Sequence, residues 1–449
     1  MGRRNTTARG PLPAPAVRAD DPNLTRFAGL VPFIRYMSEE LELPQQLKEV
    51  IDEPAGRRKY QVHLLLFAFL TGAAVGVWRL AHLEWLRGDA VILKFLRLPS
   101  WPVRQVFGKA LAGLSDRMIG RLRNLLTATG LWSLRGCEEV TVDFDSSVVV
   151  SFGEQEGAVF GYCGKGRNRR RHHPLVASVA GPRTVVNTIY RDGTAIDQDE
   201  TIDFMRDTRR RLKDGLGTVR VLFRADSGFW SRAVGDWLLK ETIPFVFAMP
   251  LHAGLKLIIL NTAFRALEDD ADVEVAKISG ELLNLDPRLR IAVVRRRVHD
   301  PKAPPQGKEI KNDPNWRYQA VISPIEKAPE DLWRLYNGRG DCERVFKIAK
   351  HALGMSWLVG QKLTANNAAF LLRMLAYNAD VLFQAEMERQ AQAAEAAVLR
   401  IGLLVRQRRF YNTPGRLLRA QNRWELRVPN NPTLARAFAF YAPDLFVPS

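Results

Sequence analysis

VTVDFDSSVVVSF, residues 140 to 152, is the stretch on which the fold turns. Apolar and polar residues alternate through it and β-branched side chains are dense, so it reads as a strand. Asp143 and Asp145 stand two apart and project from one face of it. Beyond it comes a strongly basic loop, GKGRNRRRHH (164–173), with Lys165, Arg167, Arg169, Arg170 and Arg171. Two further strand-like runs follow, PLVASVAG and RTVVNTIYR, joined by a Gly181-Pro182 turn. Residues 201–212 are helical in pattern. VRVLFRAD (219–226) is again a strand and ends on Asp226, a helix spans 231–240, and IPFVFAMP (243–250) is a fifth strand.

From 251 to 323 the helical pattern fades. ADVEVAKI, LRIAVVRRRV and RYQAVIS are strand-like, separated by Asp-Pro and Pro-Pro turns. A helical pattern returns over 330–353 and contains YNGRGDCERVFKIAK, residues 336 to 350. On one continuous helix, offsets of 3, 7 and 14 fall within roughly 60° of each other. Tyr336, Arg339, Glu343 and Lys350 would then share a face. Acidic residues delivered by separate segments suggest a metal site, with cations on the helix placed to hold phosphate.

These motifs resemble the DDE transposases of bacterial insertion sequences. The Tyr336-Arg339-Glu343-Lys350 spacing looks like that class's Y-R-E-K signature, and the segments around Asp145 and Asp226 resemble its two aspartate motifs. The YCGKGRNRRRHHPL run and the Arg191-Asp192-Gly193 turn look most like insertion-sequence family 1380. The resemblance spans residues 25 to 420. It implies an α/β chain with an RNase H-like catalytic core, and three antiparallel strands followed by helix, strand, helix, strand match that order. It also implies a β-rich insertion before the glutamate.

The bulk properties agree with a nucleic-acid partner. The 449 residues exceed one core, so several domains are expected. A net charge of +18 favours a polyanion. Cys137, Cys163 and Cys342 have no metal-ligand spacing, which fits a reducing cytoplasm. The longest apolar run, 64–78, contains Thr71, Gly72 and Gly76, is too short to span a bilayer, and reads as a core helix. No G-x4-G-K-[ST] occurs, so no nucleotide cofactor is indicated. The expected layout is a disordered basic arm (1–22), a helical DNA-binding domain (23–137), the core's first part (138–250), the β-rich insertion (251–325), the glutamate helix (326–360) and a helical C-terminal region (361–449).

By resemblance the catalytic and metal-binding triad is Asp145, Asp226 and Glu343, with Asp143 a rival for the first place. The small hydroxyl residues Ser146 and Ser147 after Asp145 favour it. Two Mg²⁺ ions, replaceable by Mn²⁺, would serve the phosphoryl transfer. Tyr336, Arg339, Lys350 and the 164–173 loop would contact DNA. Trp316 or Tyr318, slightly favouring Tyr318, would hold a flipped base. The implied function is a transposase that acts on terminal inverted repeats and target DNA as a homodimer in the DNA complex. Another RNase H-like nuclease and a catalytically silent DNA-binding relative are the alternatives.

Overall fold

The computed structural model describes residues 18, 20–52, 59–164, 167–299, 307–420 and 423–445. The expected basic arm therefore lies largely outside the described residues, as does Lys165. The chain is a mixed α/β structure built on a ten-stranded sheet. Five of its strands form the core order, and the middle one of these is Glu139–Ser146, the first core strand. The second and third, Leu175–Val179 and Val185–Ile189, follow antiparallel on one side. The fourth and fifth, Arg220–Ala225 and Phe245–Ala248, lie parallel on the other. The spatial order is thus third, second, first, fourth, fifth.

Alternation in the first strand divides the two faces. Val140, Val142 and Phe144 are buried against Phe204 and Leu212 of helix Gln198–Leu216 and Leu238 of helix Arg232–Lys240. The first of these helices begins with an Asp197–Glu200 capping box, the second with Ser231 accepting from the Val234 N–H, which fixes both start points. Asp143 and Asp145 point to the opposite face, which the glutamate helix covers.

Three findings depart from the sequence expectations. The glutamate segment is two helices, Pro329–Asn337 and Gly340–His351, broken around Gly338. The basic loop is mostly a strand, Asn168–His172, which pairs with Val159–Tyr162 and Val149–Val150 in a small sheet. The C-terminal region is not wholly helical: its long helix, Leu363–Ala393, ends well before the C-terminus, and residues Gly415–Ala420 and Arg423–Arg427 form a hairpin. The strands of the 251–325 segment do not stand apart. Asp313–Ser323 pairs with the fifth core strand through Val321↔Ala248 and Ile322↔Phe247, and Arg290–Arg297 and Val273–Ser279 extend the same sheet.

The helical ends of the chain share one core. Helix Val62–Ala74 is buried almost all round, as its unbroken apolar composition requires. It packs in one cluster with Leu363–Ala393, the C-terminal helix Pro432–Tyr441 and the inner side of the glutamate helix. Among the described residues no helix is long and apolar enough to cross a membrane.

The helical body is latched to the sheet by Asn378. Its amide accepts from the Val185 N–H at 2.8 Å and donates to the Val185 carbonyl at 2.7 Å, so it pairs with the sheet's outer strand as another strand would. Asn378→Leu should leave both buried backbone groups unpaired and cost about 2–4 kcal/mol. Urea unfolding would measure this, and an unchanged midpoint would mean the latch carries no weight.

Candidate active site

Asp145 sits at the end of the first core strand and Asp226 directly after the parallel fourth strand. Parallel neighbours end on the same edge of a sheet, so the two carboxylates emerge side by side. Glu343 lies in the first turn of Gly340–His351, exposed but within the electrostatic field of Asp145. That turn offers unpaired N–H groups, and an acidic residue there is favoured by the helix dipole. Asp145 accepts from the Ser146 N–H at 2.7 Å, and Asp226 from the Gly228 N–H at 2.9 Å.

Electrostatics tie these groups together. Burial pushes the Asp145 carboxyl up to about 6; Arg339 opposes the rise, while Asp226 and Glu343 add to it. Burial likewise raises Tyr336, which lies in the field of Arg339 and the same three carboxylates. Burial lowers the Lys350 ammonium, with Asp145 opposing. Cys342, buried 3.9 Å from Asp145, has its thiol pushed up to about 12 by burial and that carboxylate. Among the described residues, no three His, Cys, Asp or Glu side chains are close enough to enclose a metal ion. Carboxylates repel one another, and here a guanidinium already balances Asp145.

That guanidinium corrects an expectation. Arg339 is buried, salt-bridged to Asp145 at 2.9 Å, and directed at the Phe144 carbonyl. It is therefore committed inward, not presented to phosphate on an open helix face. The break at Gly338 explains why: Arg339 caps the second helix instead of riding within one long helix. Tyr336 belongs to the preceding helix, Glu343 is exposed, and Lys350 is half-buried with its ammonium 5.7 Å from the Phe346 ring centre.

Asp143 differs sharply from Asp145. It is fully buried and grips Arg224 in a bidentate pair at 2.7 and 2.8 Å. The two are register partners on adjacent parallel strands. Arg224 also donates to the Leu335 carbonyl at 2.8 Å, which anchors the last turn of Pro329–Asn337. Gly338 follows that turn, and a Cβ there would collide with the Arg224 guanidinium. Sequence reasoning missed Arg224, although a charged residue inside the apolar run VLFRAD was a signal.

The two aromatic candidates of the insertion are also separated. Tyr318 is buried, with its ring edge-on to Phe264 at 6.2 Å and its hydroxyl donating to Asp313. This corrects the preference for it as an open stacking surface. Trp316 is partly exposed, between Arg295 and Arg297 at 4.3 and 5.0 Å. A cavity of about 420 Å³ opens beside Asp226 and Tyr336 and is lined also by Arg296, Lys308, Arg317 and Trp333.

The family model "Transposase DDE domain group 1" matches residues 16–439. The chain belongs to the DDE transposases. No curated protein matches in sequence. Among solved structures it is similar to a piggyBac transposase synaptic complex with hairpin DNA, at 10% identity and TM-score 0.44, over 87% of this chain and 81% of that one. It is also similar to a Drosophila P element transposase strand transfer complex, at 14% identity and TM-score 0.23, over 46% and 43%. A Mos1 mariner paired end complex with Mn gives 16% identity and TM-score 0.19, over 49% and 66%.

Two stability measurements on this DDE transposase separate the aspartates. Asp143→Leu should cost about 3–5 kcal/mol, because it leaves Arg224 buried without its partner. For Asp145 the folded carboxyl, near 6, binds its proton more tightly than the unfolded one, near the ordinary aspartate value of 3.8. Between these values the folded state holds more protons, so stability falls as pH rises. Relative to Asp145→Asn, the parent chain in EDTA should lose about 2–3 kcal/mol across that window. Parallel pH profiles for parent and variant would contradict it.

Proposed function

We propose that this chain is a DNA transposase that binds terminal inverted repeats, cleaves the element ends and joins the freed 3′-hydroxyls to target DNA. The core would be RNase H-like, with Asp145, Asp226 and Glu343 as metal-binding catalytic residues, and the chain would be of the insertion-sequence family 1380 kind. The supporting observation is the common electrostatic field of three carboxylates drawn from three distant segments, beside Tyr336, Arg339 and Lys350. Membership of the DDE transposase family supports this reading.

The donor set suits a hard divalent cation, since all three candidates offer carboxylate oxygens and the nearby thiol is kept protonated. Bound there, Mg²⁺ or Mn²⁺ ions, two per site, would supply Lewis-acid stabilisation of the attacking and leaving oxygens. The protein's own part is positional. Arg224 and Asp143 fix the helix ends that carry Tyr336 and Arg339. Arg339 holds the Asp145 carboxylate in place, and the Lys350 ammonium and Tyr336 hydroxyl lie within reach of phosphates entering the site. Arg167, Arg169, Arg170 and Arg171, together with Lys165, would contact the backbone of flanking DNA. Trp316 is the better placed of the two insertion aromatics to meet a displaced base. A homodimer in the DNA complex would bring two element ends together.

Asp145→Asn, Asp226→Asn and Glu343→Gln should each abolish Mg²⁺-dependent cleavage of DNA carrying the element's end, while binding of that DNA persists. Cleavage that survives any one substitution would remove that residue from the triad. Neutralising Arg169, Arg170 and Arg171 together should weaken binding of all sequences alike and flatten its salt dependence, by about 0.9 in log–log slope per lost phosphate contact. An unchanged slope would mean these arginines do not touch the backbone.

A further inference from the structure

The small sheet formed by residues 149–172 carries more exposed aromatic surface than a structural role explains. Phe152 is 84% exposed, Phe160 68% and Tyr162 59%. Single exposed apolar residues need no explanation, but three rings on one short element do. Phe160 and Tyr162 stand two apart on Val159–Tyr162 and so share a face. Two residues of strand rise about 6.6 Å, close to twice the thickness of a flat base. A single base therefore fits between the two rings.

Charge decides the occupant. Arg170 is the register partner of Phe160 and lies on its face. Arg169 covers the Phe152 ring at 5.6 Å. Against these stand two exposed carboxylates, both engaged: Glu154 pairs with Arg170 at 3.7 Å, and Glu156 accepts from the Leu363 N–H at 3.0 Å. Basic groups interleaved with free aromatic faces suit a phosphate chain with bases to stack. In a duplex those base faces are covered, so only an unpaired base presents one.

The hairpin is also held rigidly against the site. His173, at its base, hydrogen-bonds the Ser146 hydroxyl at 3.1 Å, one residue from Asp145. The Gly193 N–H donates to the Gly157 carbonyl at 3.0 Å, and Gly193 leaves no Cβ to strike the Arg171 carbonyl. The Glu156 N–H donates to the Gln361 carbonyl at 2.9 Å, which ties the hairpin to the approach of the long helix. The fold thus fixes the base of the hairpin and leaves its rings open beside the candidate active site.

We propose that Phe160 and Tyr162 form a stacking platform for unpaired DNA bases next to the scissile position, with Arg170 on the same face of the hairpin and Arg169 on the other. This deepens the transposase reading and rests on it. The test uses the full chain in EDTA, so that binding is measured without cleavage. The probes are a blunt duplex and the same duplex ending in a short single-stranded extension that carries 2-aminopurine. The parent should bind the extended duplex more tightly and quench the probe. Phe160→Ala/Tyr162→Ala should weaken that binding about tenfold and relieve the quenching. Its blunt-duplex affinity and salt slope should match the parent's, because no phosphate contact is lost. Phe160→Trp/Tyr162→Phe should restore both signals.

Equal weakening on the two probes, or none on either, overturns the platform while leaving the transposase reading intact. So does a double variant that alters only self-association in sedimentation, since the rings would then be an interface between copies. Failure of the parent to bind either duplex overturns the DNA-processing reading and this one with it.

Discussion

The geometry of the candidate site depends on one buried contact, the Arg224 guanidinium stretched between the Asp143 carboxylate and the Leu335 carbonyl. It joins two parallel core strands to the end of the helix that precedes the glutamate. Isolated burial of either charge would cost several kcal/mol, and the pairing offsets that cost without making the contact a strong source of stability. Its value is positional: a bidentate fork accepts little change in angle. Gly338 is part of the same constraint, because only a residue without a side chain leaves room for the guanidinium beside the helix break. The break in turn brings Arg339 inward to Asp145 and leaves Glu343 one turn later at the surface.

Two aspartates two residues apart on one strand face thus have different partners and different consequences. Asp143 has a permanent cation on the neighbouring strand, in register with it. Asp145 has a cation on a helix end, and the charges of two further carboxylates, Asp226 and Glu343, act on it. Its charge is costly to hold, which is the condition under which an incoming divalent ion is favoured. Arg339, also buried, has its charge held on by Asp145 despite the desolvation that opposes it. Each member of the pair therefore needs the other until something else supplies the opposite charge.

What the sequence made legible was the element order and the three acidic segments. Strand one was readable because Val140, Val142 and Phe144 alternate with polar residues, and the helix at Gln198–Leu216 because its inward face is apolar. The rest failed for identifiable reasons. Helical periodicity in residues 330–353 runs straight through Asn337-Gly338, a pair that ordinarily marks a helix end. Asn168–His172 shows no apolar alternation, since it is exposed for most of its length and its pairing is backbone alone. The tail hairpin was hidden by basic residues, although RLLRAQNRWELR alternates and has a Gln-Asn pair at its centre. Tyr318 and Trp316 sit on the same strand face, yet local crowding by Phe264 and Arg295 buries one ring and spares the other. No local pattern contains that difference.

The chain's excess of arginine has two destinations, and separating them clarifies how a basic protein can bind DNA without losing its fold. Arg224, Arg339, Arg373 and Arg406 are buried, and each is paired with a carboxylate or with backbone carbonyls: Arg406 with Asp380, Arg373 with the carbonyls of Trp78 and Trp357. These act as joints between segments far apart in sequence, where a planar fork serves better than a flexible ammonium. Arg167, Arg169 and Arg170 are exposed on an element that contributes little to the main core, so their mutual repulsion is not set against the packing of the sheet. Asn378 and the shared helical core meanwhile hold the N-terminal helices against the large sheet. A basic surface built on the rigid outer parts of such a frame can meet phosphate without moving the carboxylates, since the cations that position the site and the cations free for a ligand are different residues.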